Sequence, residues 1–387
     1  MFQYSLAGIK FGVARLLLGL ACIAASGGAL ASPPIETSSS HAIIYDFKTN
    51  TVLFDKNATE PTAPASMSKL MTIAIVFEKL KSGELSLDDM FAVSEKAWRK
   101  TGSKMWVRVD TEIAVKNLIR GAIIQSGNDA CIVLAENIAG SEDAFVDLMN
   151  LKARQWGLND STFANATGWP DPRHKMSMHD LAKLATMIIE DYPEFFAIFS
   201  EREFTWEKIR QANRNPLLGS FEGADGLKTG HTDEAGYGVV ATAVRDGVRR
   251  IVVVNGLTSA KVRGTESRRL LKASFDDFVE KTLLLKGDVV GTADVFRGVS
   301  ADVPLVISED IMSIVHRERL NTISAKVRYS GPLVAPVAEG AQVAELDLTI
   351  DDKTTSFPVF AGASVDEIGF FGKLLIGAQK LLLKPQE

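Results

Sequence analysis

The sequence predicts an α+β fold in which helices pack on an antiparallel sheet, followed by a small all-β domain and a C-terminal amphipathic helix. Two strand-like regions, at 42–54 and 236–254, bracket a long stretch of helical spacing. Beyond residue 286 the chain becomes Val- and Asp-rich with frequent Gly, Pro and Ser, as short strands and turns require. The last twenty residues return to helical spacing, with a narrow lysine stripe on an otherwise apolar surface.

Residues 1–31 read as a secretory signal peptide. Lys10 and Arg15 lead into Leu16-Leu17-Leu18-Gly19-Leu20-Ala21, and Ala29-Leu30-Ala31 supplies a small-residue cleavage site. The alternatives are an uncleaved membrane anchor and a lipoprotein site at Cys22, the latter disfavoured by Gly19 where such a site carries Leu. Cleavage after Ala31 leaves Cys131 as a lone cysteine among Ala130, Ile132, Val133 and Leu134, read as a buried small hydrophobe.

The expected catalytic domain, residues 32–286, opens with a strand pair. Ala42-Ile43-Ile44-Tyr45-Asp46 and Thr51-Val52-Leu53-Phe54 flank the turn Lys48-Thr49-Asn50. Pro61 to Pro64 break that pattern, and a helix is expected from near Ser66 to Lys81, stopped by Ser82-Gly83. Residues 113–139 have helical spacing interrupted at Ser126-Gly127-Asn128, so two helices meet there. Further helices are expected at about 141–156 and 177–190. Gly238 to Val244 and Arg249 to Val254 flank Asp246-Gly247, a hairpin turn. Thr265 to Leu285 reads as one long helix, and Lys286-Gly287-Asp288 as a linker into the β-rich domain at 287–363, a spacer or docking module.

In residues 364–387, Lys373, Lys380 and Lys384 fall within about 40° on a helical wheel, with Phe370, Phe371, Leu374, Leu375 and Leu381 to Leu383 around them. This fits a helix lying in a membrane interface; a terminal helix docked on the β domain is the alternative.

Composition excludes several classes. At 46% hydrophobic and 24% charged the chain is ordinary globular protein. A net charge of −5 gives no general drive toward nucleic acid. Two cysteines exclude a disulfide framework or a four-thiolate zinc site. His174 and His179 with Asp171 or Asp180 match no H-E-x-x-H spacing, so neither metal nor cofactor is expected.

Three motifs carry chemistry. Ser66-Met67-Ser68-Lys69 is an S-x-x-K, which a chain of this length contains about once by chance. Its context matters: on a helix, residues three apart share a face, and burial at a helix N-terminus lowers a lysine pKa toward the neutral amine that could activate a serine. By themselves the residues read equally as a helix-capping Ser66 and a solvated Lys69. Ser126-Gly127-Asn128 alone would be a cap and turn. In Lys228-Thr229-Gly230, followed by His231, the lysine could bind a carboxylate as a compact charge, with Thr229 adding a donor.

Together and in this order the motifs form the signature of penicillin-binding proteins and class A β-lactamases. The segments Pro64 to Thr72, Ser126 to Cys131, Asp225 to Thr232 and Asn165 to His174 resemble the D-alanyl-D-alanine carboxypeptidases among the low-molecular-mass penicillin-binding proteins. That family also has a signal peptide, a β-rich second domain and a C-terminal anchor. The resemblance implies a β-lactamase/transpeptidase-like domain, an antiparallel sheet with helices on both sides. It implies Ser66 as nucleophile, Lys69 as general base and Ser126 as proton relay. Asn128 would hold the substrate backbone, and Lys228, Thr229 and Gly230 would bind the terminal carboxylate. The N–H groups of Ser66 and His231 would form the oxyanion hole. The implied partners are peptidoglycan pentapeptide stems, β-lactam antibiotics and a membrane surface, with residence in the periplasm on the outer face of the inner membrane.

A D,D-endopeptidase of the same superfamily remains open on motifs alone. A β-lactamase usually has Ser-Asp-Asn where this chain has Ser126-Gly127-Asn128. A non-catalytic wall-binding protein would have no need of Ser66, Lys69, Ser126, Asn128 and Lys228 together.

Overall fold

The computed structural model describes residues 4–5, 35–350, 353–370 and 372. Most of the expected signal peptide and the lysine-striped C-terminal segment lie outside these residues. The chain divides into two compact units, one of them spanning Ile35–Asp277, the other containing the chain from Phe278 onward.

The first unit is built on a five-stranded sheet in the order Thr51–Lys56, His41–Asp46, Val248–Leu257, Gly236–Arg245, Ala224–Thr232. Every pairing in it is antiparallel. The chain's first hairpin thus joins its last strands across some two hundred residues of helix and loop, as the two strand-like ends of the sequence require. The Asp246-Gly247 turn has positive φ at both residues, 49° and 76°, which matches the right-handed twist of the strands it links. Val239 to Ala243 and Ile251 to Val254 are buried at consecutive positions, so both faces of the sheet are covered. The helices Ala260–Asp276 and Met178–Asp191 both pack on these strands.

The helix Lys69–Ser82 runs through the helical part of the core, with Leu70, Met71, Ile73, Ala74 and Ile75 to Phe77 all buried. Around it lie Val115–Ile123, Asn128–Ala139 and Glu142–Gln155. The break at 124–127 overlaps the expected one at Ser126-Gly127-Asn128, Asn128 itself opening the second helix, and Ser126 adopts φ 58°, in the left-handed region.

Two boundaries differ from expectation. The helix expected from Thr265 to Leu285 spans Ala260–Asp276, its N-terminus capped by Ser259, whose side chain accepts from the Val262 N–H at 3.1 Å. Phe278–Leu284 is instead a strand paired with Ile311–His316. Its apolar residues satisfy either period, and a partner distant in sequence decides between them. The domain boundary therefore lies at Asp277/Phe278 rather than at the Lys286-Gly287-Asp288 turn.

The second unit is all-β. Its main sheet runs Ser324–Arg328, Gln342–Ile350, Lys353–Ala361, Asp302–Val306, Val289–Phe296, Leu333–Val334, over a core that includes Val303, Leu305, Leu346 and Val359. This unit also claims residues assigned above to the terminal helix: Val365 bridges to Val337 and Glu367 to Gly298. Backbone pairing thus runs past 364, the residue where the helix was expected to start.

Candidate active site

The site is assembled from several segments of the first unit that are distant in sequence. Ser66 lies in a single 3-10 turn, Ala65–Ser68, immediately before the helix that begins at Lys69. It caps nothing, and Ala65 before it has φ 47°, a strained value for a residue with a Cβ. Several bonds hold the turn: the Met67 N–H donates to the Pro64 carbonyl at 3.2 Å, Asn255 Nδ2 to the Ala63 carbonyl at 3.0 Å, and Ser68 Oγ to the Ala65 carbonyl at 3.1 Å.

Lys69 is wholly buried, and its ammonium has three acceptors: Ser66 Oγ at 2.8 Å, Asn128 Oδ1 at 2.8 Å and the Thr167 carbonyl at 2.5 Å. Burial draws its pKa from 10.5 down to about 8. A lysine held against a serine hydroxyl and half-neutral near pH 8 can take that hydroxyl's proton.

On the strand Ala224–Thr232, Lys228 Nζ donates to Ser126 Oγ at 2.9 Å and to the Thr229 carbonyl at 3.2 Å. Lys228 too is buried and its pKa lies well below the ordinary lysine value, chiefly through burial and then through the charge of Lys69. Its strand, Ala224–Thr232, is the edge of the sheet, leaving one side free of a neighbouring strand. That edge runs against the Ser66 turn: a Cβ on Gly230 would lie 2.8 Å from the Pro64 carbonyl oxygen and 3.2 Å from the Ala65 Cβ. Glycine here lets strand and turn approach. His231, next along, is exposed, stacks on Tyr237 at 3.7 Å, and its Nδ1 is 3.1 Å from the Gly236 carbonyl.

Asn128 links the segments. Its Oδ1 accepts from Lys69, its Nδ2 donates to the Thr101 carbonyl at 2.9 Å, and its N–H donates to the Ser103 carbonyl at 2.8 Å. Donor and acceptor neighbours lie on opposite sides, so the amide's orientation is determined.

The structure thus gathers Ser66, Lys69, Ser126, Asn128, Lys228 and Thr229 into one constellation, with Gly230 lining it. Four contributors went unassigned in the sequence: the Thr167 carbonyl, the Thr101–Ser103 backbone, Arg214 and Arg263. Arg214 donates to Ser103 Oγ at 2.6 Å, and Arg263 extends Nη1 toward the Gly230 carbonyl at 3.5 Å. Thr167 lies inside a quoted motif, but a carbonyl contact leaves no trace in residue identity. The arginines are far away in sequence and belong to no motif.

Two of the histidine and aspartate residues weighed as metal ligands have protein partners. His174 is buried, its Nδ1 accepting from the Ala164 N–H at 3.2 Å, and Asp180 accepts from Ser161 Oγ at 2.7 Å. Among the described residues no group of three or more His, Cys, Asp or Glu is arranged to hold a metal.

Residues 28–259 match the Peptidase S11 family, D-alanyl-D-alanine carboxypeptidase, and residues 278–367 match the penicillin-binding protein 5 C-terminal domain. This chain belongs to the D-alanyl-D-alanine carboxypeptidase family. It is 36% identical to D-alanyl-D-alanine carboxypeptidase DacC of Escherichia coli, over 97% of this chain and 96% of that one. The crystal structure of the carboxypeptidase DacD from Francisella tularensis superposes with a TM-score of 0.76 at 30% identity, covering 86% of this chain and 95% of that one. Penicillin-binding protein D2 from Listeria monocytogenes, solved in ampicillin-bound and cefotaxime-bound forms, matches 63% of this chain and all of its own, at 30% identity and a TM-score of 0.58. Both units of this carboxypeptidase family member therefore have counterparts.

Proposed function

We propose that the chain is a serine D-alanyl-D-alanine carboxypeptidase acting on peptidoglycan pentapeptide stems through an acyl-enzyme on Ser66. The observation that carries this reading is the buried Lys69 ammonium, 2.8 Å from Ser66 Oγ with its pKa drawn down to about 8.

Neutral Lys69 accepts the Ser66 proton as Oγ attacks the carbonyl carbon of the penultimate D-alanine. The N–H groups of Ser66 and His231 receive the developing oxyanion. The tetrahedral adduct collapses as the C–N bond breaks; Ser126, charge-supported by Lys228, gives its proton to the departing D-alanine amine and is reprotonated by Lys69, which returns to the neutral base. Lys228 and Thr229 hold its carboxylate, and Asn128 holds the acyl side of the substrate backbone. Water then attacks the ester and restores Ser66. A β-lactam presents the same acyl end, but its leaving group stays tethered, so it traps Ser66 as an ester. The β-lactam complexes of the Listeria relative support this.

The deciding assay is D-alanine release from a pentapeptide ending in D-Ala-D-Ala, beside a crosslinked dimer and a penicillin. Release from the pentapeptide, lost in Ser66→Ala together with penicillin labelling, is expected. Cleavage of the dimer would move the assignment to endopeptidase, and fast penicillin hydrolysis with silence on both peptides would mean a β-lactamase.

Residues 1–31 we read as a cleaved signal peptide and the lysine-striped C-terminus as an interfacial anchor, placing the enzyme on the periplasmic face of the inner membrane. Truncation after Glu367 should release the protein from membranes with its soluble activity intact; persistent membrane association would sink the anchor.

A further inference from the structure

The loop that carries Thr101 and Ser103 into the site continues into a feature that catalysis does not use. Between Lys96 and Arg108 the chain has five cationic side chains and no carboxylate. Carboxylates from outside the segment pair with three of them: Glu142 with Lys96 at 2.8 Å, Glu95 with Arg99 at 2.6 Å and Glu207 with Arg108 at 2.9 Å. Trp98 and Trp106 within it remain 40% and 50% exposed. Arg99 lies over the Trp98 ring at 5.3 Å, and Lys104 over the Trp106 ring at 5.6 Å. Together with Val107 and Arg108 these residues line a surface cavity of about 440 Å³.

The cavity is held in shape. Asp129, next to Asn128, accepts the N–H groups of Met105 at 2.9 Å, Trp106 at 2.8 Å and Val107 at 3.2 Å. Trp106 adopts φ 73°, a left-handed conformation costly for a bulky aromatic and maintained by that carboxylate. Lys104 Nζ donates to a neutral acceptor, the Trp98 carbonyl, at 2.6 Å, so its charge is left for a ligand. Two half-exposed indole rings with the Lys104 charge beside them are complementary to a saccharide ring that bears a carboxylate nearby. The platform is joined to the reaction centre by neighbouring residues on both sides, Ser103 to Met105 on the loop and Asn128-Asp129 on the helix.

We infer that the Trp98–Trp106 platform is a binding subsite for the glycan-proximal part of the substrate, taking an amino-sugar ring on the tryptophans and a stem-peptide carboxylate on Lys104. The inference rests on the carboxypeptidase reading and extends it from the terminal dipeptide to the other end of the stem. The enzyme would then select pentapeptides still attached to glycan over free peptide.

The test uses the full chain and two soluble substrates, a disaccharide-linked pentapeptide and the same pentapeptide without sugar. The wild type should show kcat/KM about tenfold higher on the sugar-linked substrate, a preference that weakens with salt. Trp98→Ala or Lys104→Glu should bring the ratio of the two kcat/KM values toward one. Trp106→Gly relieves the backbone strain instead of adding to it, so its loss of preference cannot be assigned to misfolding. Fluorescent penicillin labelling checks the fold of each variant. Equal kcat/KM on both substrates in the wild type, or a ratio untouched by all three variants, overturns the platform while leaving the carboxypeptidase standing. Silence on both substrates overturns both readings together.

Discussion

Lys228 Nζ donates to Ser126 Oγ at 2.9 Å across 102 residues of sequence, and both side chains are buried. The bond gives Ser126 a positively polarised environment and leaves its hydroxyl proton free to be donated elsewhere. A lysine so desolvated, beside the buried Lys69, is costly unless an anion arrives to pair with it. A substrate carboxylate would supply that anion.

Lys228→Ala should therefore raise KM for a D-Ala-D-Ala peptide by about ten- to a hundredfold, as expected for losing one buried charge-assisted contact. Removing a buried cation relieves desolvation, so the thermal midpoint should hold or rise. Steady-state kinetics beside a melting curve checks this, and unchanged KM would remove the carboxylate role.

The pKa of Lys69, lowered to about 8, sets the acid limb of activity. The base acts only when neutral, so kcat/KM should rise about tenfold per pH unit below 8 and level off above it. Lys69→Met should cut acylation by about 10²–10⁴-fold and abolish this limb. Stability moves the same way: the unfolded chain binds more protons between pH 8 and 10.5, so folding is favoured as pH rises through that window. Penicillin acylation rates across pH 6–9 test the kinetic part, and a flat profile would contradict it.

Gly168 has φ 76°, and a Cβ there would fall 2.0 Å from the Ala65 carbonyl oxygen and 2.6 Å from Ser68 Oγ. Gly168→Ala must push apart the nucleophile turn and the loop whose Thr167 carbonyl accepts from Lys69. The expected result is acylation slowed by at least about tenfold with a loss of a few kcal/mol in stability. Wild-type acylation in this variant would show that the loop can move without consequence.

His174 is buried, and its pKa is lowered from 6.5 to about 4, chiefly by burial. It is neutral in the folded protein and protonates in the unfolded chain first. Stability contributed by this site is present above pH 6.5 and is lost as pH falls toward 4. His174→Asn, which keeps an acceptor for the Ala164 N–H, should flatten the decline of the thermal midpoint over that window. An identical acid limb in the variant would assign the decline to other groups.

Much of this molecule is legible in its sequence because the relevant physics is local. The Asp246-Gly247 turn, the stop at Ser82-Gly83 and the break at Ser126-Gly127-Asn128 follow from what each residue permits its own backbone. The candidate site residues are legible only as a set: each motif alone reads as a cap, a turn or a strand entry, and it is their order and the resemblance they carry that single them out. Assignment of 278–284 depended on a partner, since Phe278, Val279, Leu283 and Leu284 fit helix or strand until Ile311–His316 pairs with them. The same holds for 365–367, drawn into the β unit by Val337 and Gly298.

By itself the sequence supplied the order of the three motifs and the class of most secondary elements of the first unit. Tertiary structure alone decided the surroundings of the motif residues. Burial depth lowers Lys69 to about 8, and the Thr167 and Asn128 oxygens aim its ammonium at Ser66. Desolvation and hydrogen-bond geometry are properties of the assembled neighbourhood, and no spacing along one chain encodes them.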